Sequence, residues 1–183
     1  MNRKQKGFSL IELLIVVAII LIIAAIAIPN LLRARMAANE ASCVGSLKAI
    51  LTANTSYNTT YGVGYAPALA NLGGPSGVPA TCGLAQLIDG VLAGTNPPTA
   101  NPQKSGYVFT YVPGVVPATV PVGSACAPGW ADGFAATALP INPGTTGQSS
   151  FCVDGSGVVR KDPTGTPIPV AAGLCSPTAA IIQ

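Results

Sequence analysis

The sequence predicts an α+β fold: one long N-terminal α-helix, transmembrane in its first half, packed against an antiparallel sheet of three or four strands. A long apolar run broken by one charge lies near the start of the chain, a stripe of apolar residues at helical spacing follows it, and segments with strand-like alternation occur only after residue 105. Helical and strand segments that are segregated along a chain are typical of α+β domains, because alternating segments would build a parallel sheet.

The apolar run extends over 21 residues, from Phe8 to Ile28, and contains one charge, Glu12. At about 1.5 Å per residue, a helix of this length crosses a bilayer core of roughly 30 Å. Residues 8–28 are therefore predicted to span a membrane, with the remainder exported. The basic residues before the run are expected to stay on the cytoplasmic side: they are Arg3, Lys4 and Lys6.

Residues 29–58 are predicted to continue the helix as its amphipathic second half. Pro29 lacks a backbone donor and is expected to break or loosen the helix. An apolar stripe with helical spacing follows, formed by Leu32, Met36, Cys43, Val44, Leu47, Ile50 and Leu51. Glu40 interrupts this stripe. It either pairs with a basic residue of a neighbouring chain or lies at the edge of the stripe, and we favour the second interpretation.

Residues 59–105 are rich in glycine, proline and alanine and are predicted to be a connecting loop, with one short helix at Leu84–Leu92. Residues 106–183 are predicted to form a globular β-sheet domain, whose irregular C-terminal tail begins at residue 163. Its strands are expected from alternation of large side chains and from turn residues at 154–157. The predicted strands are Tyr107–Val112, Phe134–Leu139, Ser150–Val153 and Val158–Arg160.

Charge and residue chemistry exclude several functions. The net charge of +3 comes from the three leader residues, and without them six basic and six acidic residues remain. Such a chain has no basic stripe for direct contact with nucleic acid. It contains no histidine, and its carboxylates are scattered singly. We therefore expect no enzyme activity, no cofactor and no metal site.

The five cysteines all lie in the part predicted to be exported, a compartment that favours disulfides. They are Cys43, Cys82, Cys126, Cys152 and Cys175. An odd number allows at most two internal bridges and leaves one thiol. The expected pairing is Cys43 with Cys82, plus one bridge among the remaining three. A bridge between subunits is the alternative.

The stretch from Lys6 to Leu13 (KGFSLIEL) resembles the cleavage and methylation motif of type IV prepilins and of the related type II secretion pseudopilins. The likeness continues through Ala27–Asn30 (AIPN) and is specific over roughly residues 1–52. It implies that a prepilin peptidase cuts after Gly7, removing residues 1–7 as a leader peptide, and N-methylates Phe8. It further implies that Glu12 pairs with the amine of Phe8 on a neighbouring subunit. The alternative for Glu12 is attraction to the helix dipole alone.

The resemblance implies a structural subunit of a type IV pilus. The precursor would lie in the inner membrane, and the processed chain would form a helical homopolymer outside the cell, supporting adhesion, motility or uptake. An assembly platform would be a further partner. The alternatives are a major pseudopilin of a type II secretion system and a minor pilin or adhesin. Major pseudopilins typically carry a calcium site near the C-terminus that is built on acidic residues. Asp154 and Asp162 are few acidic residues for such a site.

Overall fold

The computed structural model describes residues 8–75, 77–115, 126 and 130–182. The expected leader charges Arg3, Lys4 and Lys6, together with Gly7, lie outside the described residues. The chain divides into two compact units, Met1–Arg35 and Met36–Gln183.

Helix α1 covers Leu10–Tyr61, and thus ends three residues later than predicted. It continues through Pro29, since proline removes only one of the hydrogen bonds that link successive turns. Gly62 directly follows the last helical residue; its φ of +66° favours glycine, and its N–H donates to the carbonyl of Asn58 at 2.9 Å.

The α+β prediction is confirmed, but the described residues form a sheet of six strands rather than three or four. Its order is β1-β2-β3-β4-β5-β8, and every neighbouring pair is antiparallel. The strands are β1 (Gln103–Lys104), β2 (Tyr107–Pro113), β3 (Phe134–Pro140), β4 (Ser150–Asp154), β5 (Val159–Asp162) and β8 (Ala180–Ile182). Strands β6 (Val170–Ala171) and β7 (Leu174–Cys175) form a separate hairpin.

The C-terminal tail after residue 163 is largely irregular but contains three short strands, β6, β7 and β8, which the sequence did not predict. The predicted helix at Leu84–Leu92 is wrong. The backbone there donates instead to the end of a short helix, α2 (Leu69–Leu72): the N–H of Ala85 reaches the carbonyl of Asn71 at 2.8 Å, and that of Leu87 reaches the carbonyl of Leu72 at 2.7 Å. These tertiary hydrogen bonds replace the local ones that a helix would make.

The core lies between the second half of α1 and one face of the sheet. Leu47 and Ile50 of the predicted stripe are fully buried. They belong to the same apolar cluster as Phe109, Phe134 and Phe151 from three adjacent strands. The helical spacing of the apolar residues therefore identified the face that the sheet covers.

The predicted bridge between Cys43 and Cys82 is wrong. The structure joins Cys82 to Cys126 and Cys152 to Cys175, and leaves Cys43 as a buried free thiol. Tyr57 explains the difference, since its hydroxyl donates to the carbonyl of Cys82 at 3.0 Å. Tyr57 is about 20 Å along the helix from Cys43, well beyond the separation of about 7 Å that a disulfide tolerates.

Candidate assembly site

A backbone N–H group at the start of α1 holds the side chain of Glu12. The Glu12 carboxylate accepts a hydrogen bond from the N–H of Ser9 at 2.9 Å, and the N–H of Leu13 donates to the carbonyl of Ser9 at 3.2 Å. A glutamate that reaches back from the third helical position to the N-cap N–H is one half of a capping box. The pattern Ser-x-x-Glu at residues 9–12 is the sequence signal for this contact.

The first half of α1 exposes its apolar residues on all sides. Every large apolar side chain from Phe8 to Leu32 is between 46% and 87% exposed. Soluble monomers rarely expose a continuous apolar surface of this extent. By length and composition, the helix is long and apolar enough to cross a membrane. This segment therefore requires apolar surroundings from outside the chain, either lipid or other helices.

Two cations directly follow the apolar segment. Arg33 and Arg35 are both exposed, and neither forms an ion pair with another described residue. They are the last charged residues of the first compact unit, which ends at Arg35.

Glu40 holds the second half of α1 to the sheet domain. Its carboxylate accepts hydrogen bonds from the backbone N–H groups of Gln148 and Ser149, both at 3.0 Å, and lies 3.4 Å from the ammonium of Lys161. These partners belong to the same chain, which neither interpretation made from the sequence included. Their sequence separation, 108 to 121 residues, explains why local pattern could not find them.

Hydrogen bonding sets the ionisation of Glu40. Partial burial by itself raises the pKa of this carboxyl group, but the two backbone N–H donors and the charge of Lys161 outweigh it. The net pKa of Glu40 in the folded chain is therefore below its ordinary value of 4.5. A lowered folded pKa contributes stability above the unfolded pKa, and that stability is lost as the pH falls through the folded pKa.

We expect Glu40→Gln to lower the stability of the folded domain by about 1–2 kcal/mol at neutral pH. The difference between wild type and variant should shrink as the pH falls below about 4.5, because protonated Glu40 has lost its charge as well. Thermal unfolding of both chains in detergent, followed by circular dichroism from pH 7 to pH 3, measures this. A difference that stayed constant over this range would contradict the role of the Glu40 charge.

Two acidic residues near the C-terminus stabilise turns. Asp154 accepts hydrogen bonds from the N–H of Ser156 at 2.9 Å and from that of Cys175 at 3.0 Å. Asp162 accepts from the N–H of Thr164 at 2.8 Å. Within the described parts of the chain, no three His, Cys, Asp or Glu side chains come close enough together to hold a metal ion.

Comparisons with known proteins match part of the chain. The family model described as the prokaryotic N-terminal methylation motif matches residues 2–28. The type IV major pilin protein PilA of Myxococcus xanthus is 48% identical over 56 residues, which is 31% of this chain and 26% of the relative. The type IV wide pilus major component PilA4 of Thermus thermophilus is 68% identical over 38 residues, 21% of this chain and 29% of the relative.

The matches thus span less than a third of the length of these curated relatives. No solved structure matches the chain significantly. The segment that the family model matches contains Phe8 and Ser9, which directly precede α1, and Glu12 in its first turn. The N-terminal segment therefore carries the prokaryotic N-terminal methylation motif, and part of the chain is similar to two type IV major pilins.

Proposed function

We propose that the chain is a structural subunit of a type IV pilus, processed after Gly7 and polymerised through the first half of α1. The observation that carries this proposal is the exposed apolar first half of α1, which follows Phe8, contains Glu12 in its first turn and has no covering surface among the described residues. The second half of α1 and the sheet form a core of their own, held by two disulfides, and the residues of the first half of α1 are not part of that core.

The chemistry of Glu12 supports assembly through helices. When helices pack together and exclude water, an unpaired carboxylate is costly, and pairing it with a cation offsets that cost. The free amine of Phe8 on a neighbouring copy supplies such a cation, and N-methylation keeps its charge. A shift of one helical turn would leave both charges unpaired, so the pair also sets the register between copies.

The proposed partners are those needed for processing, storage and assembly of the subunit. A prepilin peptidase cuts after Gly7 and methylates Phe8, the inner membrane stores the processed chain, and an assembly platform inserts it into an extracellular filament of identical copies. The chain acts as a building unit and not as an enzyme. Adhesion, surface motility and uptake are the tasks that such a filament supports.

Filaments sheared from the native host test the proposal. Mass spectrometry of the main protein should find an N-methylated Phe8 at the N-terminus, and electron microscopy should show long fibres. The same processed terminus confined to the membrane fraction would favour a pseudopilin or a minor pilin. An uncut Met1 terminus would refute processing altogether.

Gly7→Val should block cleavage, because the peptidase requires a small residue at the scissile bond. The expected product retains Met1, remains in the membrane fraction and forms no filaments. Mass spectrometry of the membrane-bound chain measures the N-terminus. A mature Phe8 terminus in this variant would contradict the assigned cleavage site.

A further inference from the structure

The depth at which the stored chain lies in the membrane can be inferred from the first compact unit. This inference rests on the proposed membrane storage of the subunit. The apolar segment offers two registers, because it extends from Phe8 to Leu32 and is longer than the ~20 residues that a bilayer core accommodates. In the first register, meaning position along the membrane normal, the centre of the run from Phe8 to Ile28 lies at the centre of the hydrocarbon core. In the second register, Leu32 is the last residue within the hydrocarbon core.

The arginines favour the second register. Arg33 and Arg35 are exposed and have no ion-pair partner among the described residues. Residues two apart on an α-helix point about 200° away from each other, so the two guanidinium groups leave α1 on nearly opposite sides. Arginine binds phosphate oxygens through paired hydrogen bonds. Two such groups at one level can contact lipid phosphates all around the helix and resist its movement along the membrane normal.

Counting back from the arginines places the other edge of the core. About 20 residues at about 1.5 Å each fill a core of roughly 30 Å. If Leu32 is the last residue in the hydrocarbon, Leu13 is the first. Glu12 then lies just outside the hydrocarbon, in the hydrated layer on the opposite side.

Backbone hydrogen bonding places that edge at the same residue independently. The first turn of any α-helix has N–H groups without a carbonyl one turn earlier, and in hydrocarbon such groups are costly. In α1, Leu13 donates to the carbonyl of Ser9 at 3.2 Å, so the intrahelical hydrogen bonds begin with its N–H. The N–H groups before it need water or a side chain, as Ser9 has in the carboxylate of Glu12. Leu13 is thus the first residue whose backbone suits the hydrocarbon.

We infer that Arg33 and Arg35 bind the lipid phosphates on the exported side of the membrane. The hydrocarbon core then covers Leu13–Leu32, and Glu12 lies in the interfacial layer on the opposite side. The register centred on the run from Phe8 would bury the Glu12 carboxylate about 6 Å deep. The inferred register instead buries the neutral amide of Asn30 close to the exported edge, which is less costly. Dehydration of Glu12 is then deferred until copies pack together.

Depth-dependent fluorescence quenching tests this register in the full chain. The chain is reconstituted in vesicles of phosphatidylcholine and phosphatidylglycerol whose acyl chains carry bromine near the bilayer centre. Single substitutions Val17→Trp, Ile22→Trp and Ile26→Trp report depth, and the unsubstituted chain gives the baseline of Trp130. The inferred register predicts strongest quenching at position 22, then 26, then 17. The matched comparison is the same series in Arg33→Gln/Arg35→Gln, where the centre should shift by about 6 Å toward the N-terminus.

The quenching order tests the register, the role of the two arginines and membrane storage separately. The order 17, 22, 26 in the unmodified background would place Glu12 inside the hydrocarbon and overturn the inference. An unchanged order after loss of both arginines would overturn their role as anchors. Quenching no greater than the Trp130 baseline at all three positions would refute membrane storage itself, and would be distinguishable from a wrong register. The N-terminus of sheared filaments tests the pilus proposal separately.

Discussion

Glu12→Ala should abolish or severely reduce filaments while leaving cleavage after Gly7 largely intact. The alanine variant removes the only carboxylate in the apolar segment, so the amine of Phe8 on a neighbouring copy loses its partner. An uncompensated charge inside a packed assembly costs about 3–5 kcal/mol for each pair that is broken, and every subunit of the filament repeats this cost. Electron microscopy of sheared fractions and mass spectrometry of the membrane-bound chain measure assembly and processing separately.

A glutamine at position 12 is the matched control for Glu12→Ala. It retains an oxygen that can accept the hydrogen bond from the N–H of Ser9, which Glu12 accepts in the structure, but it carries no charge. If the charge pair drives assembly, the glutamine variant should fail almost as completely as alanine. If the helix cap were the important contact, glutamine would restore filaments. Normal filaments from the alanine variant would refute both roles.

Gly147→Ala should destabilise the sheet domain by about 3 kcal/mol, because it overfills a buried site. A Cβ at this position would lie 2.6 Å from Cζ and 2.8 Å from Cε2 of Tyr107, and would also clash with the phenol oxygen. The Tyr107 ring is fully buried, and its hydroxyl donates to the carbonyl of Ser149 at 2.9 Å. The ring therefore has no free direction to move, and any shift of the loop also disturbs the N–H groups that bind Glu40.

Thermal unfolding in detergent, followed by circular dichroism, measures this effect, which corresponds to a fall of roughly 10 °C in Tm. Gly45→Ala is the control. Gly45 lies inside α1, and a Cβ there would meet nothing within 4 Å. Alanine at that helical position should stabilise the chain by about 0.5–1 kcal/mol. A Gly147→Ala chain with unchanged Tm would contradict the close contact with Tyr107.

Much of the fold could be predicted because its signals are local. The apolar spacing around Leu47 and Ile50 indicated the buried face of α1, and alternation indicated the central strands. The tail strand β8 was missed, since its pairing with β5 depends on a strand that lies about 20 residues earlier in the chain. The apolar spacing of Leu84–Leu92 suits a helix, but hydrogen bonds to the end of α2 fix that backbone in another conformation, and these contacts cannot be read from the local pattern.

The sequence by itself determined the N-terminal segment of this protein. The basic leader, Gly7, Phe8, Glu12 and the apolar run are contiguous, so their chemistry can be read without knowing what packs beside them. Only the tertiary structure decided the partners of Glu40, the pairing of Cys82 and the close approach of Gly147 to Tyr107. Each of these depends on groups that are distant in sequence and meet only when the sheet has formed on α1. Their energies come from packing and hydrogen bonding that no local pattern records.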